Sequence, residues 1–185
     1  GNSGTIMAQY FVGMAEASKD IITLNSALIA KIFQAGYESA LEAMSNPKEG
    51  TVITVMREAA LTAQENIDKD SVTETLKNIY ESSLEALNRT PEQMQLLKDA
   101  GVVDAGALGY VNILEGMLYF IENNKIINEK VLENLSPDNI DTDINIDNHD
   151  KPKFQFCTEC IINGEEINRK KVKDILNPLG DSLII

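Results

Sequence analysis

Apolar residues recur at helical spacing through the first ~135 residues, and each run is bounded by residues that cap or stop a helix. Gly1-Asn2-Ser3-Gly4 reads as a turn, followed by Ile6, Met7, Tyr10, Phe11 and Met14 on one helical face. Asn25-Ser26 can cap a second helix with the stripe Leu28, Ile29, Ile32, Phe33, Leu41 and Met44, which Asn46-Pro47 stops. Gly50-Thr51 leads into a third helix containing Val52, Met56, Ala59, Ala60 and Ala63. Ser71 with Glu74 makes a capping box for a fourth, whose apolar face is Leu76, Ile79, Tyr80, Leu84 and Leu87. Thr90-Pro91 opens a short fifth helix, and Gly101 ends it. After the loop Val102-Val103-Asp104-Ala105-Gly106, a sixth helix carries Leu108, Val111, Leu114, Met117, Leu118 and Ile121. A shorter helical piece runs from Glu129 to Leu135. Residues 1–135 therefore read as one all-α domain.

Composition then changes. Residues 136–152 are rich in Asp and Asn with isolated Ile, the pattern of a solvated linker. Residues 153–185 read as the start of a small α/β domain. Phe154 to Ile162 alternates like a strand, Asn163-Gly164 turns, and Glu166 to Leu176 reads as a helix closed by Asn177-Pro178-Leu179-Gly180. A second strand begins near Ser182. The Gly-rich opening without Met and the strand that stops at Ile185 lead us to expect a chain cut at both ends.

The net charge of -13 disfavours nucleic acid and anionic membranes as partners. An anionic ligand would then need local help from a metal ion or backbone N–H groups. No apolar stretch is long enough to span a bilayer, and no signal peptide is recognisable. Two cysteines close together, Cys157 and Cys160, are not a secreted disulfide framework, so a reducing cytoplasm is expected.

Three small-residue loops carry the candidate chemistry. Asn2, Ser3 and Gly4 stand where free N–H groups and the positive end of a helix dipole favour an anion, and the Ser hydroxyl adds a donor. The alternative is an ordinary turn and cap. Gly50-Thr51 is a second such pair, with a plain cap as the simpler role. Asp104, Ala105 and Gly106 open the sixth helix, with Asp104 as its natural N-cap. On successive antiparallel helices these loops could share one rim of a bundle. Other constellations are poorer. Asp141, Asp143, Asn145 and Asp147 alternate like a calcium loop, but Ile146 and Pro152 replace the Gly and Glu such a loop requires. The single histidine, His149, leaves no partner for a Ser-His-Asp or Cys-His machine. Cys157-Thr158-Glu159-Cys160 has zinc half-site spacing, yet strand alternation would turn the two thiols apart, and any metal at Cys157 would need ligands beyond Ile185.

The order of these motifs resembles a known family. Gly1-Asn2-Ser3-Gly4, Pro47-Lys48-Glu49-Gly50-Thr51 with Met56-Arg57-Glu58-Ala59-Ala60, and Leu97-Lys98-Asp99-Ala100-Gly101 running on to Ala107 look like the L-type domain of dihydroxyacetone kinases. Phe156-Cys157-Thr158-Glu159 and Pro178-Leu179-Gly180-Asp181-Ser182 resemble the middle domain of the bacterial fatty acid kinase catalytic subunit. The resemblance implies a barrel of antiparallel helices holding ATP and magnesium at one end. It puts Asn2, Ser3 and Gly4 at the nucleotide phosphates and makes Asp104, Ala105 and Gly106 part of the enclosure, with Gly50 and Thr51 nearby. It implies a separate fatty-acid-binding partner protein that presents the carboxylate, with acyl phosphate and ADP as products. The family's magnesium ions sit on an aspartate cluster upstream of the Gly-rich turn, so a chain beginning at Gly1 is not expected to catalyse alone. Rival expectations are a glycerone (dihydroxyacetone) kinase subunit, which would end with its helical barrel, and a non-catalytic helical interaction module. A homodimer is compatible with either.

Overall fold

The computed structural model describes residues 2–126, 158–180 and 183–185. The expected helix at 129–135, the linker with His149 and the calcium-like alternation, and Cys157 lie outside them. Eight α-helices occur among the described residues: α1 Asn2–Ala17, α2 Ser26–Ala43, α3 Val52–Glu65, α4 Val72–Asn88, α5 Thr90–Gln93, α6 Gln95–Ala100, α7 Ala105–Asn123 and α8 Arg169–Leu176. A 3-10 turn, Asn177–Leu179, follows α8.

The caps explain where these helices start. Asn25 accepts a hydrogen bond from the Leu28 amide at 2.8 Å, and Ser71 accepts one from Glu74 at 3.2 Å. Only half of the expected capping box forms at Ser71, because the Glu74 carboxylate turns to the Lys69 ammonium at 2.7 Å. Gly101 ends α6 in the left-handed region at φ 66°. The expected single fifth helix is broken in two at Met94, whose extended backbone brings it and Gln93 against Gly50. Asn2 to Gly4, expected as a turn, form the first turn of α1; Ala105 and Gly106, expected in a loop, are the first residues of α7.

The helices alternate in direction. Asn2 at the start of α1, Thr51 before α3 and Asp104 before α7 share one rim with Met44 at the end of α2. The end of α4 joins them, since the Asp104 amide donates to Thr90 Oγ1 at 3.1 Å. At the other rim, the start of α2 meets the start of α4 through Ser26 and Thr75, whose hydroxyls are 2.9 Å apart. Packing runs α1–α2–α3–α4–α7, and α1 returns to meet α7. Five antiparallel neighbours cannot close evenly, so α1 and α7 meet as parallel helices along a thin seam.

One core fills the array. Ile6, Tyr10, Ile29, Phe33, Val55, Met56, Ile79, Tyr110 and Leu114 are buried in it. Small residues bring the helices close: Ala30 and Ala40 on α2 and Ala59 and Ala63 on α3 are fully covered. Across the seam the Tyr10 and Tyr110 hydroxyls are 2.8 Å apart and buried, with the rings edge to face at 5.2 Å. Burial pushes the Tyr10 phenol well above its ordinary pKa, outweighing the hydrogen bond from Tyr110 that acts to lower it, and burial is also the main cause of the raised pKa of Tyr110. Both stay neutral as hydrogen-bonding partners. Tyr10→Phe leaves the Tyr110 hydroxyl unpaired and is expected to cost about 1–3 kcal/mol, whereas removing both hydroxyls costs less than the sum of the single changes. Chemical denaturation of the two single variants and the double variant measures that coupling.

The expected strand at 154–162 is not formed in its described part. Residues 158–162 carry no regular structure, and Ile161 is 89% exposed. A strand needs an edge to pair with, and the described residues offer it none. The helix expected from Glu166 starts later, where Asn168 accepts from the Lys171 amide at 2.9 Å and caps α8. The second strand expected near Ser182 is reduced to one antiparallel bridge between Met44 and Ile184. Among the described residues, no helix is long and apolar enough to cross a membrane.

Candidate functional site

A cleft of about 240 Å³ opens at the rim where α1, α3 and α7 begin, somewhat smaller than the roughly 300–1,000 Å³ usual for ligand sites. Its polar side is Asn2, Ser3, Ser45, Asn46, Lys48, Thr51 and Asp104, and its apolar side is Ile6, Met44, Val52, Leu183 and Ile184. Three helix N-termini converge there. Their first-turn N–H groups lack intrahelical acceptors, and their dipoles add positive potential at one place. Lys48 is the cationic side chain of the lining. In a chain of net charge -13 this rim is where an anion can be held.

Each sequence candidate has a definite position. Asn2, Ser3, Thr51 and Asp104 line the cleft. Gly106 abuts Ser3: a Cβ at Gly106 would fall 2.8 Å from Ser3 Oγ and 3.2 Å from Asp104 Oδ2. The glycine therefore leaves room for the Ser3 hydroxyl. Asp104 Oδ2 accepts from the Ala107 amide at 2.8 Å, fixing the start of α7. Gly4 and Ala105 are exposed helical residues outside the lining. Gly50 is buried and faces away from the cleft, toward Thr90, Gln93 and Met94, with φ 78°. That left-handed turn is its role. Cys160 is exposed with a free thiol.

The loop before α3 is tied down by its own side chains. Thr51 Oγ1 donates to the Lys48 carbonyl at 2.8 Å instead of capping α3. Thr54 Oγ1 accepts from the Gly50 amide at 3.0 Å and donates to Glu49 Oε2 at 2.8 Å. Arg57 donates to the other Glu49 oxygen and also pairs with Glu58. The Arg57 hydrogen bond, with that of Thr54, holds the Glu49 carboxyl below the usual carboxylate range. A depressed folded-state pKa contributes stability above the unfolded carboxyl's pKa and loses it as pH falls through the folded value. Glu49→Gln is expected to flatten the acid side of the stability–pH profile below about pH 5, with a small effect at pH 7 because the pair is half exposed. Thermal melts between acidic and neutral pH check this.

Sequence reasoning missed Ser45, Asn46, Lys48, Met44, Leu183 and Ile184. Ser45 Oγ is buried with no hydrogen-bond partner among the described residues. A buried hydroxyl left unpaired is costly, and here it belongs to a residue of the cleft wall. A basic residue beside the small-residue pair Gly50-Thr51 was the available signal for Lys48. Nothing local points to Leu183 and Ile184, which arrive from the far end of the chain.

The family resemblance puts magnesium at one end of the barrel, with its aspartate ligands upstream of Gly1. Among the described residues no three His, Cys, Asp or Glu side chains come together to hold a metal ion, and Asp104 is the carboxylate of the cleft. These residues do not form a magnesium site by themselves.

The helical part of the chain matches a known family. The DAK2 domain matches residues 1–119. Protein YloV of Bacillus subtilis is 31% identical over 194 residues, covering 100% of this chain and 35% of YloV. An uncharacterized protein of Staphylococcus aureus (strain bovine RF122 / ET3-1) has the same identity and coverage. One of Staphylococcus epidermidis is 30% identical over 192 residues, again across 100% of this chain and 35% of its own length. The chain thus spans about a third of the curated relatives it matches. With the family matched over most of its length and across all the helices that build the cleft, this chain belongs to the DAK2 domain family and is of a kinase-related type.

Proposed function

We propose that the rim cleft binds ATP and that the protein is an ATP-dependent phosphotransferase subunit, acting on a fatty acid held by a separate lipid-binding protein. The observation that carries this is the convergence of three helix N-termini with Ser3, Lys48, Thr51 and Asp104 around one cleft that also has an apolar side. Free N–H groups, a hydroxyl and an ammonium suit phosphate oxygens. The apolar side suits a base. Magnesium enters this reading as the counter-ion of the ATP phosphates, and its carboxylate ligands would come largely from outside the described residues. Phosphoryl transfer depends on positioning and on charge stabilisation more than on covalent help, so a rim that orients phosphates is the part of the machine this chain supplies.

The acceptor follows from the resemblance of 153–185 to the fatty acid kinase middle domain. We read 1–135 as the nucleotide-binding domain, 136–152 as linker and 153–185 as the start of that second unit. The test is transfer from labelled ATP by the full natural chain, offered either a fatty acid with its binding protein or dihydroxyacetone. Label trapped by hydroxylamine as the acyl derivative, with none in dihydroxyacetone phosphate, is the expected result. Label in dihydroxyacetone alone would replace this acceptor with the glycerone kinase one. No transfer and no ATP binding would leave a helical interaction module.

A further inference from the structure

The last residues of the chain reach back to the rim. The Ser45 amide donates to the Leu183 carbonyl at 3.1 Å, and the Ile185 amide donates to the Ala43 carbonyl at 3.1 Å. These bonds flank the Met44–Ile184 bridge. A second tie comes from α8. Lys173 Nζ donates to the Glu42 carbonyl at 3.0 Å and to the Met44 carbonyl at 2.7 Å. Those carbonyls belong to the end of α2, where the helix runs out of its own donors and its dipole is negative. An ammonium is the group best suited to that position. Two separate segments, 129 and roughly 140 residues distant in sequence from the α2 end, therefore fix on the same few backbone atoms.

The consequence falls on the cleft. Leu183 and Ile184 line it beside Ile6, Met44 and Val52. Ile184 also packs on the core. Without them the apolar side would keep only Ile6, Met44 and Val52.

The geometry points to Leu183 and Ile184 as the closing apolar wall of the cleft, taking the base of the bound nucleotide, with Lys173 as the positioning residue that holds this wall in place. The inference rests on the ATP reading above and adds a specificity element outside the region matched by the DAK2 domain. It assigns the two sides of the cleft different parts of one ligand: the rim with Ser3 and Lys48 takes phosphates, and the tail takes the base. ATP and inorganic tripolyphosphate then respond differently to changes in the tail.

Calorimetric titration of the full natural chain with each of these two probes tests it. The unaltered protein should bind ATP more tightly than tripolyphosphate. Ile184→Ser should weaken ATP about tenfold, the effect of losing part of a buried isoleucine contact, and leave tripolyphosphate within about twofold. Lys173→Met keeps the aliphatic stem, removes the ammonium, and should weaken ATP in the same selective way. It should also speed hydrogen exchange at the Ser45 and Ile185 amides, a readout of tail docking that needs no ligand. ATP affinity unchanged in both variants would overturn the wall and leave the ATP reading standing. Equal loss of both probes would also overturn it, since the tail would then be supporting the whole fold. Failure of the unaltered, folded protein to bind either probe would overturn the ATP reading and this inference together.

Discussion

Gly13→Ala is expected to destabilise the protein by about 2 kcal/mol net, although alanine is the better helix former by about 1 kcal/mol. A Cβ at Gly13 would lie 2.3 Å from the Ala35 carbonyl oxygen and 2.6 Å from Ser39 Cβ. The first of these is backbone of α2, which cannot rotate away. Helices α1 and α2 must then separate, and overpacking of this kind costs roughly 1–3 kcal/mol or more. Gly36 faces the same crossing from α2, where a Cβ would meet Met14 and Tyr10 within 3 Å. Separation would also strain the Tyr10–Tyr110 pair at the seam. In a chain of this size the change corresponds to a fall of about 4–8 °C in melting temperature. Gly109→Ala on α7 is the matching control. Nothing lies within 4 Å of a Cβ there, so the propensity term acts alone and stability should rise by about 0.5–1 kcal/mol. Opposite signs in two melts decide the matter; a stabilised Gly13→Ala variant would mean the crossing is looser than described.

Ser3→Ala is expected to weaken ATP binding by about 10- to 100-fold, the range for a hydrogen bond to a charged group. Gly106→Ala should reproduce most of that loss without touching a polar atom. Its new methyl would sit 2.8 Å from Ser3 Oγ and 3.2 Å from Ser3 Cβ. The cheapest relief is rotation of the Ser3 hydroxyl away from its place at the rim. The two substitutions then remove the same interaction, and the double variant should bind ATP about as weakly as either single one. Lys48→Ala, which acts through charge from another loop, should add to both. Additive losses at Ser3 and Gly106 would show that the glycine serves the α7 start and not the serine.

The helical half was legible because its signals are local. A 3.6-residue stripe of Ile29, Ile32 and Phe33, a cap at Asn25 and a left-handed stop at Gly101 need no knowledge of the rest of the chain. Element edges were less legible. Asn2 to Gly4 and Ala105-Gly106 look like loops by composition, yet they are first helical turns, where glycine and short polar residues are tolerated because the N–H groups there are free anyway. Gly13 and Gly36 carry no local sign that a neighbouring backbone lies against them. Phe154 to Ile162 alternates like a strand, but alternation specifies a face and not a partner, and the described residues 158–162 have none. For the cleft, the three small-residue loops were readable, and Asp104 was readable as a cap. The turning of Gly50 away from the rim depends on contacts with α5 and Met94, and the arrival of Leu183 and Ile184 depends on pairing across the whole chain. Neither kind of information is present in a spacing.

Calorimetric titration of ATP, with and without magnesium, into the full natural chain and into a Ser3→Ala, Asp104→Ala double variant tests the central claim most directly. Far-ultraviolet circular dichroism runs alongside, because Asp104 also caps α7 and its loss alone should cost about 1 kcal/mol. The account predicts magnesium-dependent binding by the natural chain and its loss in a variant that keeps its helical signal. Unchanged ATP affinity in the folded variant would contradict it, and would place the nucleotide away from the rim where α1, α3 and α7 begin.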